Sequence, residues 1–149
     1  MENKDNFLES CLFFNTNSLS RNLLKLAEKE FKPLFLSPAH ASLLLLVYNT
    51  PYISPKQLSH NLCLSPSTIT RFIDALEKKN LVLRKTKGKT ASIVPSKKGL
   101  ALKKPVAQAY KRLYQSYTKI LGNEKSKNLS YMIFKANKSL SQSSDNNNE

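Results

Sequence analysis

Residues 64–99 read LSPSTITRFIDALEKKNLVLRKTKGKTASIVPSKKG, and this stretch decides the fold. Ser65-Pro66 announces a helix start: a serine N-cap accepts a bond from an orphan backbone N–H, and a proline in the first turn loses nothing by lacking one. Behind it Ile69, Phe72, Ile73 and Leu76 fall at i, i+3, i+4 and i+7, a single apolar stripe along a helix over 66–79. Two short β-rich runs follow, 81–86 and 90–94, on either side of Lys87-Gly88-Lys89. Glycine there supplies the positive φ of a tight hairpin turn.

Upstream, the same dipeptide recurs at Ser37-Pro38 and Ser54-Pro55, and Gln57 completes a capping box with Ser54. The first start opens a helix over 38–49, apolar on most sides through Leu43, Leu44, Leu46 and Val47, which Asn49-Thr50-Pro51 ends. The second opens a short helix over 55–62 with Leu58 and Leu62 inward. Cys63-Leu64-Ser65 is then a three-residue turn into 66–79. Two helices so joined form a helix-turn-helix, and a ribbon directly after it is a wing.

The flanks read as long amphipathic helices. Residues 5–31 place Phe7, Leu8, Cys11, Phe14, Leu19, Leu23, Leu26 and Phe31 on one pattern. Ser96 caps a helix over 97–121 that Pro105 should kink or effectively start, and Gly122-Asn123 separates it from a last helix over 124–140. The polar SQSSDNNNE at 141–149 reads as disordered. The expected fold class is therefore mainly α with a small β-hairpin wing (α+β), a winged helix-turn-helix with long terminal helices. The expected divisions are an N-terminal dimerisation helix (1–33), a DNA-binding lobe (34–98), C-terminal dimerisation helices (99–141) and a disordered tail (142–149). The flanking stripes need a partner, which a second copy of the chain supplies most simply, so a homodimer is expected.

Composition narrows the function. The chain has 149 residues, 24 Lys+Arg against 10 Asp+Glu, and a formal charge of +14. One domain with helical extensions fits that length. A mean hydropathy of -0.40 and the absence of any long apolar run exclude a membrane span, and MENKDNFLES has no secretory character, so a cytoplasmic location is expected. Two cysteines, Cys11 and Cys63, make no disulfide framework. Between Phe31 and Asn123 the only acids are Asp74 and Glu77, and thirteen Lys or Arg lie between Lys78 and Lys119 without one acid. Such a block is either a solvated basic face or the footprint of a polyanion. It argues against a pure protein-interaction module, because so much charge has no evident structural use. No glycine-rich phosphate loop, His-Glu-x-x-His or G-x-S-x-G element is present, so no enzyme is expected. His40 and His60 stand alone, His40 toward solvent or a dimer groove, and no metal or other cofactor is assigned.

In these features the chain resembles the MarR (multiple antibiotic resistance regulator) family of bacterial transcription factors, across roughly 10–121. Family members show a helix ending Leu-Glu-x-x-Gly-Leu-Val, a wing, then Thr-x-x-Gly. The counterparts here are Leu76-Glu77-Lys78-Lys79-Asn80-Leu81-Val82 and Ser96-Lys97-Lys98-Gly99. Asn80 replaces glycine as the next-best left-handed helix stop. The wing is shorter than is usual and lacks the Asp-x-Arg element, for whose arginine Lys89 is the stand-in.

The resemblance implies a regulator, a repressor by expectation, that binds double-stranded DNA as a homodimer on an inverted repeat. A recognition helix would present Ser65, Pro66, Ser67, Thr68, Thr70 and Arg71 to the major groove. Lys56, Gln57, Arg84, Lys85, Lys87 and Lys89 would meet phosphates or the minor groove. Ser65 alone reads more simply as a cap. The resemblance further implies release by a small aromatic or phenolic ligand. Cys11 is a candidate redox sensor, with apolar packing the plainer reading, and Cys63 reads as packing. The competing function is a sequence-independent architectural nucleic-acid-binding protein, favoured by the charge and the simplified wing.

Overall fold

The computed structural model describes residues 7–145. The elements are α1 (Phe7–Ser10), α2 (Leu12–Phe31), a 3-10 turn (Lys32–Leu34), α3 (Pro38–Asn49), α4 (Pro55–Leu62) and α5 (Pro66–Lys78). An antiparallel hairpin of β1 (Val82–Lys87) and β2 (Thr90–Pro95) follows, then α6 (Lys97–Ala101), α7 (Lys103–Leu121) and α8 (Asn123–Asp145). The chain divides into two compact units, one up to Arg112 and one from Leu113 onward. Among the described residues no single helix is long and apolar enough to cross a membrane.

Each Ser-Pro start forms as its chemistry dictates. Ser37 Oγ accepts from the His40 amide at 3.1 Å and Ser65 Oγ from the Thr68 amide at 3.3 Å. The capping box closes in both directions: Ser54 Oγ accepts from the Gln57 amide at 3.1 Å, and Gln57 Oε1 from the Ser54 amide at 2.9 Å. Asn80 takes φ 57 and stops α5, as the resemblance implied. Leu43 and Leu44 of α3, Leu58 of α4, Ile69, Ile73 and Leu76 of α5, and Val82 and Ile93 of the hairpin make one core. Phe72 is half-buried and Ile53, outside every expected element, bridges to Ile93, whose amide donates to its carbonyl at 2.8 Å.

Four expectations need correction. The segment over 5–31 is interrupted at Cys11, which is extended (φ -80, ψ 109), while Asn15 Nδ2 takes the Glu9 carbonyl at 2.7 Å. The single helix over 97–121 is two, broken at Leu102. Pro105 has no N–H to carry α6 onward and sits in the first turn of α7, where none is needed. The hairpin loop has two residues, Gly88-Lys89, because Lys87 pairs with Thr90. Gly88 at φ +65 gives the positive φ required at the first loop position. Finally, α8 runs to Asp145, so 142–145 is helical, whereas 146–149, like 1–6, lies outside the described residues.

Hydrogen bonds also run across the expected boundary at residue 98. Leu81 O accepts from the Ser96 amide at 3.0 Å, Ser96 Oγ donates to Asn80 O, and Tyr48 Oη donates to Gly99 O at 2.6 Å. Burial pushes the Tyr48 phenol up to about 12. A Cβ on Gly99 would lie 1.9 Å from Leu81 O, so only glycine fits there. Farther on, the Tyr110 and Ser42 hydroxyls are 2.7 Å apart, and Tyr110 packs edge-on against Phe31.

Candidate nucleic-acid interface

The apolar side of α5 is buried through Ile69, Ile73 and Leu76, which turns its first polar residues outward. Ser65, Pro66, Ser67, Thr70 and Arg71 are exposed and Thr68 is half-exposed. No acid lies near this end, and the helix N-terminus adds its own partial positive charge.

The hydroxyls there are already engaged. Ser65 Oγ serves as the cap and lies 2.8 Å from Thr68 Oγ1 and 3.2 Å from Ser67 Oγ. Thr70 Oγ1 donates to Pro66 O at 3.0 Å. Ser65 is therefore a cap, as its plainer reading held. Arg71 makes only a 3.5 Å contact to Thr68 Oγ1, so its guanidinium is the least committed donor on this face. Lys56 is exposed at the start of α4, while the Gln57 carbonyl oxygen belongs to the capping box.

The wing presents Lys85, Lys87 and Lys89, all exposed. Arg84, expected among these phosphate-seeking cations, points elsewhere. Its guanidinium pairs with Asp74 Oδ1 at 2.5 Å and Glu77 Oε1 at 2.7 Å on α5. The only two acids between Phe31 and Asn123 are thus both neutralised by one arginine. The hydrogen bond that its guanidinium donates to Asp74, first, holds its pKa above the ordinary arginine value.

Other cations of the acid-free block also have structural uses, contrary to expectation. Lys79 Nζ donates to Phe35 O at 2.6 Å, Lys98 Nζ donates to Lys79 O at 3.2 Å, and Arg112 pairs with Glu30 at 2.7 Å. These partners are invisible in sequence, because backbone carbonyls and acids many residues away supply them.

His40 departs from its expected outward setting. It is partly buried, edge-on to Phe72 with ring centroids 4.9 Å apart, and its Nδ1 is buried without a partner. Burial and then the nearby Lys79 ammonium hold its pKa below the ordinary value. Cys63 is exposed and left-handed at the end of α4, so it is a turn residue and not packing, and Cys11 is half-buried. Among the described residues no three His, Cys, Asp or Glu side chains gather as a metal site.

The MarR family model matches residues 36–88, from the approach to α3 through the hairpin turn. No curated relative matches the sequence. Among solved structures, the transcriptional repressor CouR bound to p-coumaroyl-CoA superposes with a TM-score of 0.79 at 22% identity, over 89% of this chain and 95% of that one. The S. aureus MepR–DNA complex gives 0.77 at 15% identity, over 87% and 98%. Oxidised MarR from E. coli gives 0.70 at 22% identity, over 85% and 93%. At such identities the likeness establishes the fold, a mainly helical chain with a hairpin wing.

Proposed function

We propose, from the match of the MarR family model to residues 36–88, that the chain is a sequence-specific, duplex-DNA-binding transcriptional regulator. It works as a homodimer on an inverted repeat, as a repressor, in a bacterial cytoplasm, and a small aromatic or phenolic ligand releases it. The observation that carries this reading is the outward, acid-free N-terminal end of α5, with Arg71 its least committed donor, on a helix whose other side is locked into the core.

In this reading the start of α5 enters the major groove. Arg71 grips a guanine edge or a phosphate, Ser67 and the Thr70 methyl meet base edges, and Lys56 takes a phosphate beside the groove. Lys85, Lys87 and Lys89 bring charge to the flanking backbone. Arg84 braces the wing against α5 without touching DNA. Exposed Phe7, Leu12 and Phe13 near the N-terminus, and Tyr131, Met132 and Phe134 of α8, supply apolar surface for a second copy. CouR, a repressor bound to p-coumaroyl-CoA, and MepR, bound to DNA, support the same class of partners.

Two recognition helices on a two-fold axis read half-sites about one helical turn apart. Selection of bound sequences from a random duplex library at about 150 mM salt, within the range where phosphate contacts alone fade, tests the reading. One inverted repeat is the expected product. Binding that enriches no motif and collapses as salt rises would establish the architectural function, which the +14 charge favours.

A further inference from the structure

We propose that the end of α5 remote from its recognition residues carries a second, sequence-independent surface for duplex DNA, so that one molecule holds two DNA segments. Lys78 ends α5 and Lys79 caps it, Lys97 and Lys98 begin α6, and Lys103 and Lys104 begin α7; all six are exposed. The structure seats α6 on that cap. Gly99 leaves no room for a Cβ against Leu81 O, the Ser96 amide donates to the same oxygen at 3.0 Å, and Lys98 Nζ donates to Lys79 O at 3.2 Å.

Two lengths set this surface apart from the first DNA contact. From Ser65 to Lys79, α5 rises about 20 Å at 1.5 Å per residue. Along the hairpin, the tip pair Lys87–Thr90 and the base pair Val82–Pro95 are about 16 Å apart, and α6 leaves from the base. Charges in water are screened over about 8 Å at physiological salt. A duplex held at the start of α5 and the wing tip therefore leaves the charge at the far end unneutralised.

Nothing in the chain neutralises it either. Asp74 and Glu77 are engaged by Arg84, and among the described residues no ion pair involves any of the six lysines. Lys79 and Lys98 bond to the neutral carbonyls of Phe35 and Lys79, which leaves their charges in place. The chemistry also selects the partner. Protein interfaces favour aromatic residues and arginine over lysine, and membrane-surface helices insert an apolar face. Residues 97–104 contain no arginine and no aromatic, and Leu100 is their only exposed large apolar side chain. Lysine as a flexible point charge suits a phosphate backbone read without regard to sequence. The inference rests on the reading of α5 as the first DNA contact.

A two-duplex capture assay with the full chain tests it. Protein is loaded on a bead-bound duplex of about 30 base pairs, three helical turns, then washed and offered a fluorescent copy of that duplex. At about 50 mM salt, where phosphate contacts are strong, the parent is expected to retain the fluorescent copy. K97Q/K103Q/K104Q, which keeps the Lys98 bond, should load within about threefold of the parent yet capture at least about tenfold less. The salt slope of capture should fall by about one for each of these lysines that meets a phosphate. Loading without capture by the parent overturns the second surface alone, and capture unchanged in the variant does the same. Loading and capture lost together in the variant also overturn it, because the lysines would then touch the first duplex. Retention of phosphatidylserine vesicles in place of the second duplex overturns it in favour of a lipid surface. A parent that does not load at all overturns the reading of α5 along with it.

Discussion

Helices α5 and α8 carry apolar stripes of the same periodicity, yet the structure treats them differently. In α5, Ile69, Ile73 and Leu76 are 0–1% exposed, whereas in α8 Met132 and Leu140 are 67% and 63% exposed. A stripe specifies a helix and a sidedness; it does not say where the covering surface comes from. For α5 that surface lies close by in sequence, in α4 and the hairpin. Of the described side chains of α8 only Ser126 is buried, and Leu129 and Ile133 are half-buried.

The contrast breaks most sharply at Gly99. Gly99→Ala sets a methyl 1.9 Å from Leu81 O, and the lobe should lose about 3 kcal/mol or more in urea unfolding. A loss below about 1 kcal/mol would mean that the lobe is no more rigid than the exposed helix. Met132→Asp should act in the opposite way. The lobe keeps its stability within about 0.5 kcal/mol, while sedimentation shows self-association weakened about 100-fold. Unchanged self-association would remove α8 from the proposed dimer contact.

Arg84→Ala should cost about 1 kcal/mol, and less in high salt, because Arg84, Asp74 and Glu77 are 34%, 57% and 41% exposed and therefore screened. A larger loss that ignores salt would show the brace to be packing and not charge.

The smallest effect concerns His40. Its folded pKa lies below the unfolded 6.5, so the unfolded chain binds the proton more readily. The contribution is complete above the unfolded value and is lost as pH falls through 6.5 toward the lower folded pKa. Unfolding followed at successive pH values should show this slope in the parent chain and not in His40→Gln. Equal slopes would mean that the buried Nδ1 takes no part in stability.

What the sequence made legible was local. Ser37, Ser54, Ser65 and Ser96 start helices through bonds three residues away, and Asn80 and Gly88 need only their own φ. The illegible part depends on register and distance. Arg84 found its acids only when β1 lay beside α5, and Ile53 joined the hairpin from outside it. Tyr48 reaches Gly99 across 51 residues, a bond no periodicity announces. Phe35 occupies a left-handed position without the glycine or asparagine that would have flagged it.

The hydrogen bonds that fasten the hairpin to its neighbours have a kinetic consequence. Arg84 to Glu77 and Asp74 and Ser96 to Asn80 span 7, 10 and 16 residues, whereas Ser42 to Tyr110 and Glu30 to Arg112 span 68 and 82. Short loops close at lower entropic cost, so the chain should assemble from its middle outward, with α5 and the hairpin forming first and α2 and α7 docking on them later. Truncation at Leu76 should then slow folding, while truncation at Tyr110 should chiefly speed unfolding. The reverse assignment would place the folding nucleus in the long-range contacts.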